Sequence, residues 1–69
     1  MIIEVKMHNT DSFKFTVANL LATGITDVAS FISAYDMTDT STTTFAEIVS
    51  TKTTTVLNKA QISSIAIYA

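Results

Sequence analysis

The chain has 69 residues, a net charge of −2, and neither cysteine nor proline. Without cysteine it can form no disulfide bond and no thiolate zinc site. Its basic residues are four single lysines, whereas a nucleic-acid-binding domain needs clustered basic side chains, so nucleic acid is an improbable partner. We expect one domain over residues 1–69 that holds no metal and no cofactor.

A domain of this length has a small margin of stability. It buries only about 60% of the surface of its unfolded chain. Such domains are commonly reinforced by disulfides, a structural metal or oligomerisation. Because cysteine is absent and there is a single histidine, oligomerisation is the reinforcement that remains. We therefore predict a homo-oligomer.

The first 17 residues predict a β-hairpin. Apolar residues alternate with polar or charged ones in residues 3–8 and again in residues 12–17, and a polar segment over residues 8–11 separates the two runs. Period-two alternation on both sides of a short polar segment is typical of two antiparallel strands joined by a turn. The apolar face would carry Ile3, Val5, Met7, Phe13 and Phe15.

The same N-terminal segment argues against export. It begins with residues 1–6 (MIIEVK), which carry charges at alternate positions. A secretory signal has instead a basic start followed by an apolar core. No stretch approaches the roughly 18 apolar residues of a membrane-spanning helix. We expect a cytoplasmic protein with no membrane contact.

A helix is predicted from Thr26 to Asp36. After the hairpin, apolar residues recur at steps of three and four, which is the spacing of a helical face that packs on a core. The series is Val17, Leu20, Leu21, Ile25, Val28, Phe31, Ile32 and Tyr35. Thr26 is placed to cap the helix, and Asp27 would lie in its first turn, where a negative charge is favourable. Gly24 is expected to break or bend an earlier helical turn over residues 18–24.

Three strands are predicted after a polar loop over residues 36–43. They cover residues 44–50, 53–58 and 61–68, which are rich in threonine, valine and isoleucine. The order of elements is then ββαβββ. The predicted fold class is α+β: a small, mainly antiparallel sheet or partly open barrel with one helix packed on one face.

The last strands carry apolar residues on both faces, which predicts an interface. Phe45 and Val49 would share one face, and Ala46 and Ile48 the other, but one helix covers only one face of a sheet. Residues 62–69 also contain no charge, glycine or proline, so an exposed edge there would template pairing with another chain. This strand needs a central place in the sheet or pairing with a second copy. The predicted interface residues are Ile48, Ile62, Ile65, Ile67 and Tyr68.

The aromatic residues divide into core and interface candidates. The four phenylalanines, at positions 13, 15, 31 and 45, lie on faces that are predicted to be buried, so we assign them to the core rather than to base stacking. Tyr68 lies near the end of the chain, on a strand that is apolar on both faces. Because tyrosine suits partly hydrated contacts, Tyr68 is the aromatic residue most expected at an interface.

The polar loop contains two short patterns that also occur in catalytic or metal-binding sites. Asp39, Thr40 and Ser41 resemble the Asp-Thr-Gly/Ser tripeptide of aspartic proteases. Together with Thr43 they also resemble the Asp-x-Ser-x-Thr pattern of metal-ion-dependent adhesion sites, whose oxygens bind hard cations. Both of those folds need a longer chain than this one. A solvated loop is the expected structure.

His8 and Asp11 are the remaining candidates for catalysis. A histidine–carboxylate pair could do acid–base work. However, ordinary turn chemistry explains the residues of this segment, and no nucleophile accompanies them. We predict no catalytic residue and no enzymatic activity.

The leading functional prediction is a protein-interaction module that acts through its sheet surface or a strand edge. Its partners would be a second copy of itself and another protein. In size, threonine content and residues 55–65 (TVLNKAQISSI), the chain resembles small accessory proteins of phages and mobile elements. That resemblance implies binding or inhibition of a host protein, such as a defence factor. Two alternatives stay open: a ring of Sm-like or SH3-like small barrels that binds nucleic acid, and a small structural subunit of a virion or other assembly.

Overall fold

The computed structural model describes residues 1–38 and 44–68. In these ranges the chain forms five strands and one α-helix. They are β1 (Ile2–Met7), β2 (Ser12–Thr16), α1 (Val28–Tyr35), β3 (Phe45–Val49), β4 (Thr54–Asn58) and β5 (Ile62–Tyr68). One sheet has the strand order β2-β1-β5, the other consists of β3 and β4, and all pairs are antiparallel. The predicted α+β class and the order ββαβββ are confirmed, and the described strands do not form a closed barrel.

The N-terminal hairpin forms as predicted. Ile3 lies opposite Phe15 in the β1–β2 register, and Val5 lies opposite Phe13. The loop is closed by a hydrogen bond of 2.8 Å from the Met7 backbone N–H to the Asp11 carbonyl. Thr10, in the loop, has a φ of 75°, a left-handed conformation that side chains with a Cβ rarely adopt.

The hydrophobic core lies between the inner faces of the two sheets and α1. Ile3, Val5 and Phe31 are completely buried. The Phe31 ring anchors the helix, because its centroid lies 6.5 Å from that of Phe15 and 5.3 Å from that of Tyr35. These separations lie in the usual range of tilted aromatic pairs. The three phenylalanines at positions 13, 15 and 31 pack in or against the core, as predicted.

The start of the helix differs from the prediction. Asp27, and not Thr26, caps α1: its carboxylate accepts a hydrogen bond of 2.8 Å from the Ser30 backbone N–H. The Ser30 hydroxyl in turn accepts one of 3.0 Å from the Asp27 backbone N–H. This reciprocal capping box satisfies two otherwise unpaired donors, which explains why the helix starts at Val28. The predicted end is confirmed, because Asp36 terminates the helix in the left-handed conformation with a φ of 53°.

The Asp27 cap makes the stability of the fold depend on pH in the acid range. Hydrogen bonds from the Ser30 backbone N–H and hydroxyl group lower the pKa of Asp27. A carboxyl group with a lowered pKa in the folded state stabilises the fold above its unfolded pKa of about 3.9, and this contribution is lost as the pH falls through its folded pKa. We expect Asp27→Asn to reduce the dependence of the melting temperature on pH between about pH 5 and 2. Asp11→Asn, at an exposed carboxylate, is the control, and equal pH profiles for wild type and Asp27→Asn would contradict the expectation.

The segment before the helix is not helical, contrary to the spacing of its apolar residues. Residues Val17–Asn19 form a short 3₁₀ turn. Leu20 then bridges to Ser50, and the Leu21 backbone N–H donates a hydrogen bond of 3.1 Å to the Val49 carbonyl. The segment therefore pairs with the end of β3 instead of forming a helix, because helix propensity is a weak preference that tertiary contacts override. Gly24, with a φ of 82°, turns the chain toward the helix.

Candidate protein-binding surfaces

The β3–β4 sheet is apolar on both faces, and only one of them is covered. Ala46, Ile48 and Leu57 are 1–2% exposed and belong to the core. The alternate residues Phe45 and Val56 are each 58% exposed. The prediction that Phe45 lies in the core is therefore wrong, because strand alternation places it on the face opposite Ala46 and Ile48.

Leu21 extends this uncovered apolar face. Since Leu20 is buried at 7% exposure, the next side chain along the extended segment points outward, and Leu21 is 60% exposed. Its backbone bond to Val49 places it beside the end of β3. We call Leu21, Phe45 and Val56 the outer patch. Glu47 lies opposite Val56 in the register, so the patch includes one carboxylate.

The β5 edge is the second candidate surface. β5 lies at an edge of its three-stranded sheet and not at the centre. Ile65 lies opposite Val5, and Ile67 opposite Ile3, so both side chains are on the inner face and pack against the core. They are only half-buried because no further strand of the described chain covers them.

The hydrogen-bond pattern shows which backbone groups of β5 point away from its sheet. The Met7 N–H donates to Asp11, and the Met1 carbonyl accepts from Val17, so odd-numbered residues of β1 bond toward β2. Even-numbered residues of β1 therefore bond toward β5. In the observed register their partners are Ser64, Ala66 and Tyr68. The backbone groups of Ile65 and Ile67 consequently face the free side of the strand.

An apolar cleft lies beside this edge. It has a volume of about 370 Å³ between α1 and β5, and its apolar lining includes Val28, Ile32, Ile62 and Ile65. The helix thus forms one wall, and the strand edge forms the other. Sequence reasoning missed the helix residues of this cleft, since their apolar spacing was attributed entirely to the core.

Ile62, one of the predicted interface residues, lies on the inner face of its sheet. The pairing of β5 with β1 shifts between Lys6 and Met7, so Ile62 lies opposite Met7 and packs against the core. Such a bulge moves the following residues to the other face of the strand. Strict alternation along β5 would place Ile62 on the same face as Ala66, and the shift in register places it on the opposite face.

The other predicted interface residues occupy contrasting positions. Ile48 is 1% exposed, so it is part of the core of a single copy and is not available on the surface. Tyr68 is 49% exposed on the outer face of the sheet. Its hydroxyl donates a hydrogen bond of 3.0 Å to Glu4 Oε1, and this bond raises the pKa of Tyr68. The bond links the side chain of Tyr68 to Glu4 of the neighbouring strand β1.

Among residues 1–38 and 44–68, no three His, Cys, Asp or Glu side chains lie together as the ligands of a metal ion would. The side chain of Asn9 forms two hydrogen bonds with Asp11, each 3.1 Å long. Its amide nitrogen donates to the Asp11 carboxylate, and its amide oxygen accepts from the Asp11 backbone N–H. The Asp39–Thr43 patterns lie outside the described residues. No helix within the described ranges is long and apolar enough to cross a membrane.

The comparisons with known proteins gave no match. No protein-family model matches the sequence, and neither a curated protein nor a solved structure is significantly similar to the chain.

Proposed function

We propose that the protein is a small, non-enzymatic, cytoplasmic module that binds proteins through its sheet surfaces, and that it forms a homo-oligomer. The observation that supports this most strongly is the outer patch. Three large apolar side chains, Leu21, Phe45 and Val56, are 58–60% exposed. The strand register and side-chain alternation place all three on the outer side of the β3–β4 sheet. Several large apolar side chains exposed on one face of a small domain are characteristic of a docking site.

The chemistry of the outer patch defines the partner that fits it. Covering each of these side chains fully would contribute on the order of 1–2 kcal/mol to binding. Glu47, opposite Val56, would be desolvated at the same time, which is costly unless a basic group pairs with it. The partner surface is therefore apolar with a lysine or arginine. In keeping with the resemblance of residues 55–65 to phage and mobile-element accessory proteins, we propose that this partner is a host protein.

Affinity capture with matched variants tests the role of the outer patch. Tagged wild-type protein should retain a partner, identified by mass spectrometry, that the double variant Phe45→Ser, Val56→Thr loses at least tenfold, because the variant removes apolar area while the fold is kept. Lys14→Ser, on the other sheet, is the control and should retain the partner. Equal capture by the double variant, or a captured component that proves to be RNA or DNA, would count against the proposal.

Light scattering across a dilution series tests the homo-oligomer. The mass of the wild type should exceed that of the 7.5 kDa chain and fall on dilution. A constant monomer mass at every concentration would contradict this half of the proposal.

A further inference from the structure

We propose that the β5 edge pairs with the β5 edge of a second copy, antiparallel about a two-fold axis at Ala66. The pairing would produce a continuous six-stranded sheet, three strands from each copy. This inference rests on the proposed homo-oligomer and specifies its contact surface. A two-fold interface uses the same surface on both copies, so one unpaired edge is sufficient.

The backbone groups of the edge are arranged for this pairing. In an antiparallel ladder, two residues that face each other exchange two N–H···O=C bonds. Ile65 and Ile67 both direct their backbone groups outward. With the axis at Ala66, Ile65 of each copy would face Ile67 of the other, which gives two such pairs. Ala66 of the two copies would meet as a non-hydrogen-bonded pair between them.

The charges favour β5 over β2, the other edge of the same sheet. In a two-fold antiparallel pair the residue on the axis faces its own copy, so a charge at the centre of the edge strand lies opposite a like charge and destabilises the pair. The strand from Ile62 to Tyr68 carries no charged residue. β2 carries Lys14 at its centre, a charge of the kind that natural edge strands use to prevent pairing.

The side chains favour a register in which the two-fold axis passes through Ala66. In a continued sheet, the side chains of Ile65 and Ile67 of the second copy would lie on the inner face. Ile67 of that copy, opposite Ile65, would lie next to the cleft that Val28 and Ile32 line. Each isoleucine would then neighbour an isoleucine across the interface, and β-branched cross-strand pairs stabilise a sheet. An axis at Ile65 would instead place Ile67 opposite the exposed, polar Ser63.

A single cysteine can test both the edge and the register, because the chain has none of its own. Cα atoms of a non-hydrogen-bonded pair are about 4.5 Å apart, within the range that a disulfide spans. Ala66→Cys is therefore expected to oxidise to a covalent dimer of about 15 kDa, twice the 7.5 kDa chain. Lys14→Cys, at the centre of β2 on the same sheet face, is the matched control. We expect Ala66→Cys to cross-link at least roughly tenfold faster, since pairing raises the local thiol concentration.

The outcomes separate this inference from the proposed function. Equal cross-linking rates for Ala66→Cys and Lys14→Cys, with both variants folded by circular dichroism, would overturn the pairing of β5 edges. Faster cross-linking of Ser64→Cys than of Ala66→Cys would overturn the register. If the wild type associates by light scattering while Ala66→Cys does not cross-link, β5 pairing is wrong and the homo-oligomer stands. A wild type that is monomeric at every concentration contradicts both.

Discussion

Phe31→Ala is expected to remove a third or more of the stability of the protein at 25 °C. Phe31 is completely buried, and its ring packs against those of Phe15 and Tyr35. Removing a buried phenylalanine costs about 3–5 kcal/mol, from lost burial and from the cavity left behind. A domain of this length has a total stability of about 3–10 kcal/mol. Urea denaturation followed by far-ultraviolet circular dichroism measures the loss.

Phe45→Ala provides a control of the same chemistry at an exposed position. Phe45 is 58% exposed on β3, so its truncation should change the free energy of unfolding by less than about 1 kcal/mol. Both variants remove the same atoms, and only the burial of the ring differs. If Phe45→Ala proved as destabilising as Phe31→Ala, the assignment of Phe45 to the outer patch would be wrong.

Ile48→Ala is expected to lower the free energy of unfolding by about 2–4 kcal/mol without changing how the protein associates. Ile48 is 1% exposed and belongs to the core of a single copy. A core residue affects the fold itself, whereas an interface residue affects the concentration at which copies associate. The experiment therefore distinguishes a core position of Ile48, as seen in the structure, from the interface position that the sequence predicted.

Two measurements on the same samples decide this question. Denaturation gives the change in stability, and light scattering below the transition gives the mass. Val56→Ala, 58% exposed on the neighbouring strand, is the control for stability. An Ile48→Ala protein with unchanged stability but a lower mass than the wild type would show that Ile48 acts at an interface after all.

The strands were predictable because their signal is local. Each of the five begins and ends within two residues of its predicted limits. Period-two alternation and polar turns are encoded in neighbouring residues, and they need no knowledge of the rest of the chain. The pairing of Ile3 with Phe15 and of Val5 with Phe13 was predictable for the same reason, because β2 follows β1 after a short loop.

The choice of buried face in β3 was not predictable in the same way. Phe45 and Val49 on one side, and Ala46 and Ile48 on the other, are both apolar, so alternation shows two faces but not which one meets the core. The sequence prediction placed Phe45 on the buried face, and this was wrong. Burial was decided by the opposing sheet and α1, which lie against the side of Ala46 and Ile48.

The same distinction between local and tertiary information applies to the candidate surfaces. The sequence by itself determined that the final strand is uncharged, that both faces of the later strands are apolar, and that disulfides cannot reinforce the fold, because these are properties of residue identity and spacing. Only the tertiary structure decided that β5 is an edge, that Leu21 leaves its helical series to join the outer patch, and that the bulge turns Ile62 inward. The physical reason is that strand order and register depend on contacts between segments far apart in the chain, which local periodicity does not encode.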